Sequence, residues 1–172
     1  LVGLFTEQKQ HTGAVALLLR LVKYTTDKGQ RLSCLHQIAV LCEEHGEGRE
    51  ALEALRKASE VDPMHLPTIK ALAKLYERQK DTASMRIHLD RAAARFRPML
   101  RERPRDVDAL QALQQIFVWK GQGASARITA SVLTALGGTV SSELRAEIEK
   151  LGGAGDASKI NLRAEGIDDL LY

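Results

Sequence analysis

Leu32–His65 reads LSCLHQIAVLCEEHGEGREALEALRKASEVDPMH, and the spacing of its apolar residues decides the fold class. Leu35, Ile38, Ala39 and Cys42 recur at helical spacing, and so do Leu52, Leu55 and Ala58, so each set lines one face of a helix of period 3.6. His45-Gly46-Glu47-Gly48 breaks the two segments apart. Val61-Asp62-Pro63 ends the second, because proline disfavours helix in the residue before it. The stretch is therefore expected to be an antiparallel helix pair, over residues 30–45 and 48–61.

The same pattern recurs along the chain. A shift of 34 carries Leu35 to Ile69, Ile38 to Leu72, Ala39 to Ala73, Cys42 to Tyr76, Leu55 to Leu89 and Ala58 to Ala92. A further shift of 41 carries Ile69 to Leu110, Leu72 to Leu113, Tyr76 to Phe117 and Met85 to Ala126. The seven added residues make about two helical turns, so they can lengthen a helix without turning its apolar face, and they are placed at Arg97–Arg103. Further helices are expected over 65–79, 82–103, 106–120 and 123–136, broken at Lys80-Asp81 and at Lys120-Gly121-Gln122-Gly123. Asp81 or Thr82 and Asp106 are expected N-caps, and Pro98 is expected to kink or interrupt its helix.

Composition agrees. Leu and Ala exceed a quarter of the 172 residues and aromatics are 4%, a balance of helix formers over sheet formers. The longest apolar run, Ala14–Leu19, falls far short of the roughly 20 residues that cross a bilayer. Cys34 and Cys42, eight residues apart on one helix, stand about 12 Å apart and cannot bridge. The start at Leu1, with neither Met nor a basic leader, reads as an excised or processed piece of a larger polypeptide, and the expected location is cytoplasmic. The net charge of +3 does not by itself announce a nucleic-acid partner.

At the start, Gly13–Thr26 is expected to be the second helix of a partial first pair spanning residues 1–29, with Leu1–Gln10 belonging to its first helix. Residues 138–151 are expected to hold a capping helix, begun at Ser141 or Ser142 and carrying Leu144, Ile148 and Leu151 on one face. Residues 152–172 follow as a glycine-rich break and a docked tail ending in Ile167, Asp168, Asp169, Leu170, Leu171 and Tyr172, too apolar for a solvated linker.

These residues resemble the tetratricopeptide repeats, whose 34-residue helix-turn-helix carries a large residue, Leu, a small residue and Tyr, then Ala, an aromatic or Leu, Ala and Pro. Leu35, Ile38, Ala39, Cys42, Gly46, Ala51, Leu55, Ala58 and Pro63 match in the unit 32–65. Ile69, Leu72, Ala73, Tyr76, Leu89 and Ala92 match in 66–106, and Leu110, Leu113, Phe117, Gly121 and Ala126 in 107–137. Cys42 stands where Tyr is usual, Lys80 where Gly is, Met85 where Ala is, and Gln114 where a small residue is. The resemblance implies an all-α, right-handed α-solenoid of antiparallel helix pairs over residues 30–137, with the capping helix and short tail after it.

It also implies a protein-interaction or scaffolding role within a larger protein or assembly. The concave groove would be walled by His36, Gln37, Lys70, Lys74, Gln111 and Gln115, with Val40, Ala71 and Ala112 between them. Lys70 and Lys74 are one turn apart and suit a carboxylate, while the two glutamines suit an extended backbone. The asparagines of the family's carboxylate clamp are missing at these positions, so no particular C-terminal peptide is implied.

A second surface is basic. Residues 86–105 hold seven arginines against Asp90 and Glu102, a net of +5 that leaves −2 for the rest of the chain. Arg91, Arg95, Arg97, Arg101, Arg103 and Arg105 fit an acidic protein or phosphates, although Phe96 is the one aromatic among them. Nucleic-acid association and a purely structural spacer are the alternative functions, and the tail's two aspartates fit docking in its own chain or in a partner. Cys34, His36, Cys42 and His45 have metal-ligating side chains, but Cys42 and His45 are one turn apart while Cys34 lies more than 10 Å further along, which favours a structural cysteine and no metal. No phosphate loop, Gly-x-Ser-x-Gly or acid–base pair appears, so neither catalysis nor a cofactor is expected.

Overall fold

The structure, a computed structural model, describes the backbone of residues 2–151 and the side chains from Gln10 onward. Among the described residues there are eight α-helices and no strand: α1 (Val2–Tyr24), α2 (Lys28–Glu44), α3 (Gly48–Val61), α4 (Leu66–Arg78), α5 (Thr82–Glu102), α6 (Val107–Trp119), α7 (Gly123–Ala135) and α8 (Ser142–Leu151). The chain divides into two compact units, Leu1–Met85 and Arg86–Tyr172, and the division falls inside α5.

Two of the expected helix interruptions are absent. Val2–Tyr24 is a single helix that runs through Gly13, where nothing lies within 4 Å of a would-be Cβ, so the segment before α2 contributes one helix rather than parts of two. Likewise α5 continues through Pro98 to Glu102. Proline at an exposed face removes one hydrogen bond, and burial of Leu89, Ala92, Ala93, Phe96 and Leu100 along the opposite face keeps the segment helical on both sides of it.

Local chemistry sets the other boundaries. Asp27 caps α2 by accepting from the Gln30 N–H at 2.6 Å, Asp81 accepts from the Ser84 N–H at 3.0 Å, and Asp106 caps α6 by accepting from the Ala109 N–H at 3.0 Å. Ser141 Oγ accepts from the Leu144 N–H at 3.2 Å at the start of α8. Four helices end in one way. After α2, α4, α6 and α7 the chain passes through a left-handed residue, Gly46 (φ 77°), Lys80 (φ 57°), Gly121 (φ 70°) and Gly137 (φ 77°). The next N–H then reaches back five residues, Glu47 to Cys42 at 2.8 Å, Asp81 to Tyr76 at 2.9 Å, Gln122 to Phe117 at 2.9 Å and Gly138 to Leu133 at 2.8 Å. The first three of these turns follow one another at the 34- and 41-residue intervals of the sequence repeat.

The core of the first unit is built by α2, α3 and α4. Leu32, Leu35, Ile38, Ala39 and Cys42 meet Ala51, Ala54, Leu55 and Ala58 and then Leu72, Leu75 and Tyr76, with Val15, Leu18 and Val22 of α1 and Met85 of α5 packed against them. The alanines lie where α3 comes close to its neighbours and the leucines fill the space between, each fully buried Leu contributing roughly 1.5–3 kcal/mol. Lys28 pairs with Asp62 at 3.1 Å, closing the open end of the α2–α3 hairpin, and Arg56 donates to the Tyr76 hydroxyl at 3.2 and 3.3 Å, joining α3 to α4.

In the second unit α6 packs on α7, and α8 touches both. Leu110, Leu113, Ile116, Phe117, Ala126 and Leu133 are buried, as is Ile148 of α8, while Leu144 is half-buried and Leu151 is exposed. Gly123 lies so close to the end of α8 that a Cβ would stand 3.0 Å from the Leu151 carbonyl.

Candidate functional site

The helices expected to wall a groove in the first unit, α2 and α4, are held side by side with their chains running the same way. His36 Nε2 lies 2.8 Å from Thr68 Oγ1 towards one end, and Arg78 pairs with Glu43 towards the other, contacts 32 and 35 residues apart that bracket the repeat length. His65 Nδ1 also lies 2.8 Å from Thr68 Oγ1, and the two imidazoles meet edge to face at 5.5 Å. A hydroxyl has one proton and two lone pairs, so at most one of the two histidines accepts from Thr68 and at least one donates to it. Thr68 is fully buried, and burial, followed by the neighbouring His65, holds the His36 imidazole below its ordinary pKa.

His36 is half-buried and engaged with α4. Gln37, Lys70 and Lys74 remain exposed, and Val40 lies exposed on the stripe that Gln37 begins. Lys70 and Lys74 make no ion pair among the described residues. Ala71 is half-buried. In the second unit Gln111 is half-buried and donates to the Thr139 carbonyl at 3.3 Å, Gln115 is half-buried, and Ala112 belongs to the core. Gln114, the residue that replaces a small one in the repeat, is 1% exposed with its Nε2 unpartnered.

The arginine-rich segment is only partly a free basic surface. Arg91 and Arg95 are exposed on α5, and Arg103, Arg105, Pro104 and Asp106 line an open recess at the α5–α6 turn. Arg103 leans on Asp106 at 3.7 Å. Asp90 receives Arg86 at 3.9 Å and the nearly buried Lys120 at 2.5 Å. Arg101 is exposed but engaged, and Arg97 is half-buried with its Nε unpartnered. Phe96 is buried, so it offers no face on which a base could stack.

A third cluster involves a residue that sequence spacing did not single out. His11 of α1 is buried, and its Nε2 lies 2.9 Å from Glu47 Oε2 in the α2–α3 turn. Cys42 Sγ lies near the same carboxylate, and one ligating atom from each of His11, Cys42 and Glu47 falls within 4.8 Å of the others. The His45 ring stacks on His11, with centroids 3.8 Å apart and planes at 18°, and His45 Nδ1 lies 2.9 Å from the Leu41 carbonyl. Burial, reinforced by Glu47, pushes the Cys42 thiol up to about 11, while His11 holds Glu47 below the usual carboxylate range. Of the four residues weighed from sequence, Cys42 and His45 meet here, His36 is on Thr68, and Cys34 is half-buried outside the cluster. The one-turn spacing of Cys42 and His45 was visible, but only the packing of α1 on α2 brings His11 to them.

Ile167, Asp168, Asp169, Leu170, Leu171 and Tyr172 of the expected docking tail lie outside the described residues. No described helix is long and apolar enough to cross a membrane. No family model matches the chain, and no curated protein matches it.

Proposed function

We propose that the chain is a helical-repeat module of tetratricopeptide kind that binds an acidic segment of a partner protein, acting as an interaction or scaffolding part of a larger protein or assembly. The observation that carries this reading is the exposed face of α2 and α4. Lys70 and Lys74 stand there one turn apart, unpaired among the described residues, on helices locked in register by the His36–Thr68 and Glu43–Arg78 contacts. Gln37 and the 54%-exposed Val40 on α2 add an amide and an apolar contact. Two ammonium groups beside a small apolar spot suit a peptide that carries carboxylates and a short apolar side chain. Of the other residues expected to wall a groove, His36 and Gln111 support the scaffold.

The recurrence of the left-handed turns at the repeat intervals supports a repeat architecture, and in such arrays function resides in the surface rather than the fold. Nucleic-acid association through Arg91, Arg95 and Arg105 is the second reading. It ranks lower because several arginines of the segment are paired within the chain and Phe96 is buried. A spacer without a ligand is the third.

The test is a binding comparison between the wild-type chain and Lys70→Glu/Lys74→Glu, with an acidic peptide library and a DNA or RNA oligonucleotide as probes. The expected outcome is acidic-peptide binding that the double variant loses at unchanged Tm. Oligonucleotide binding that falls steeply with salt and needs Arg91 and Arg95 moves the function to α5. Binding to neither probe leaves the spacer.

A further inference from the structure

We propose that His11, Cys42 and Glu47 form a binding site for one divalent transition-metal ion of the zinc type, which fastens α1 to the α2–α3 turn. The three side chains come from three places, the middle of α1, the last turn of α2 and the turn that follows, and their ligating atoms lie within 4.8 Å of one another. A tetrahedral zinc ion, with bonds of about 2.0–2.3 Å, needs its donor atoms roughly 3–4 Å apart, so side-chain adjustment without backbone rearrangement closes the site. His11 and Glu47 are already at 2.9 Å.

The donor set chooses the metal. One imidazole nitrogen, one sulfur and one carboxylate oxygen suit a borderline-soft ion such as Zn²⁺ or Co²⁺ and not the oxygen-seeking Ca²⁺ or Mg²⁺. Burial graded across the site gives it a dry floor and an entrance. The His11 side chain is 3% exposed and Cys42 is 1% exposed, whereas the Glu47 side chain is 41% exposed, so an ion enters past the carboxylate and keeps its fourth position for water. On binding, the Cys42 S–H bond breaks heterolytically, the proton leaves to solvent by way of Glu47, and the sulfur lone pair forms the bond to the metal.

His11 is suited to this task. Its Nε2 donates to the ionised Glu47 carboxylate, while its Nδ1 is buried without a hydrogen-bond partner and holds the free lone pair, so an ion taken at Nε2 shifts the ring proton to Nδ1, where no existing bond has to be broken. The ring is held in place by stacking on His45, which is itself tied to the Leu41 carbonyl. His45 is therefore a positioning residue. Cys34, outside the cluster, is the internal control.

The experiment titrates the chelator-treated full chain with Co²⁺ and then displaces it with Zn²⁺. The expected result is one ion per chain, with the absorption of a tetrahedral cobalt centre and a thiolate-to-cobalt charge-transfer band. Cys42→Ser removes that band and Cys34→Ser keeps it. Glu47→Gln and His11→Gln each weaken binding by at least about tenfold, since even outer partners of a metal site are worth roughly 10–100-fold. Circular dichroism in chelator verifies that each variant is folded. Where Cys42→Ser does not fold, zinc K-edge X-ray absorption of the wild-type chain decides, one sulfur in the coordination shell being expected. A titration without a thiolate band, a band that depends on Cys34, or a shell holding no sulfur or two overturns the site.

Discussion

Lys80 adopts at φ 57° the left-handed backbone that Gly46 adopts at φ 77° thirty-four residues earlier. Both close their helices with the same pair of hydrogen bonds, Gly46 and Glu47 to Glu43 and Cys42 at 3.1 and 2.8 Å, Lys80 and Asp81 to Glu77 and Tyr76 at 2.9 and 2.9 Å. Only the side chain differs. A Cβ in this region costs roughly 1–2 kcal/mol, and glycine's extra freedom in the unfolded chain offsets about half of that.

Lys80→Gly is therefore expected to stabilise the protein by about 0.5–1 kcal/mol, and Gly46→Ala to destabilise it by a similar amount. Urea unfolding of both variants checks the pair. A loss of stability in Lys80→Gly would mean that the lysine side chain contributes more than its backbone costs.

His36 gives the fold a pH dependence. Its pKa is lowered in the folded state by burial and by His65 from an ordinary value of 6.5, so the unfolded chain takes up this proton more readily. The contribution to stability is complete above about 6.5, falls as the pH drops from there towards the lower folded value, and flattens below it. The midpoint of urea unfolding, followed from about pH 8 to about pH 5, should fall in the wild type and fall less in His36→Gln. Equal slopes would remove His36 as the source.

Gln114 carries a buried amide nitrogen without a partner where the repeat has a small residue. An unsatisfied buried donor costs about 1–3 kcal/mol, so Gln114→Leu, which keeps the volume and removes the donor, is expected to stabilise the second unit by about 1 kcal/mol. Thermal unfolding by calorimetry measures the change, and a lowered Tm would show that the amide is bonded.

Leu55, 1% exposed, sits among the alanines of α3 against α2 and α4. Leu55→Ala is expected to cost about 2–5 kcal/mol, with the spread set by how far the neighbouring helices collapse into the void. Val40→Ala, on the exposed face of α2, is expected to change stability by less than about 0.5 kcal/mol, so comparing the two midpoints separates core from surface.

The helices were legible because their signals are local. Leu35, Ile38, Ala39 and Cys42 announce a buried face through spacing alone, and residues 48–61 form a helix at the expected bounds because Gly46 and Pro63 punctuate it. The segment before residue 24 and the stretch around Pro98 were less legible. A glycine or proline on an exposed face does not break a helix whose other face is packed, and the packing partner is not in the local sequence.

The sequence by itself determined the helical class, the repeat intervals of 34 and 41 residues, and the turns at Gly46, Lys80 and Gly121, since each depends on contacts within a few residues along the chain. The tertiary structure alone decided that His36 bonds Thr68 and meets His65, that Gln111 bonds the Thr139 carbonyl, and that His11 meets Cys42 and Glu47. Periodicity tells which face of a helix is buried but not which helix lies against it. A polar side chain at the edge of that face takes its role from the neighbour it meets, and that neighbour is fixed only when the helices pack.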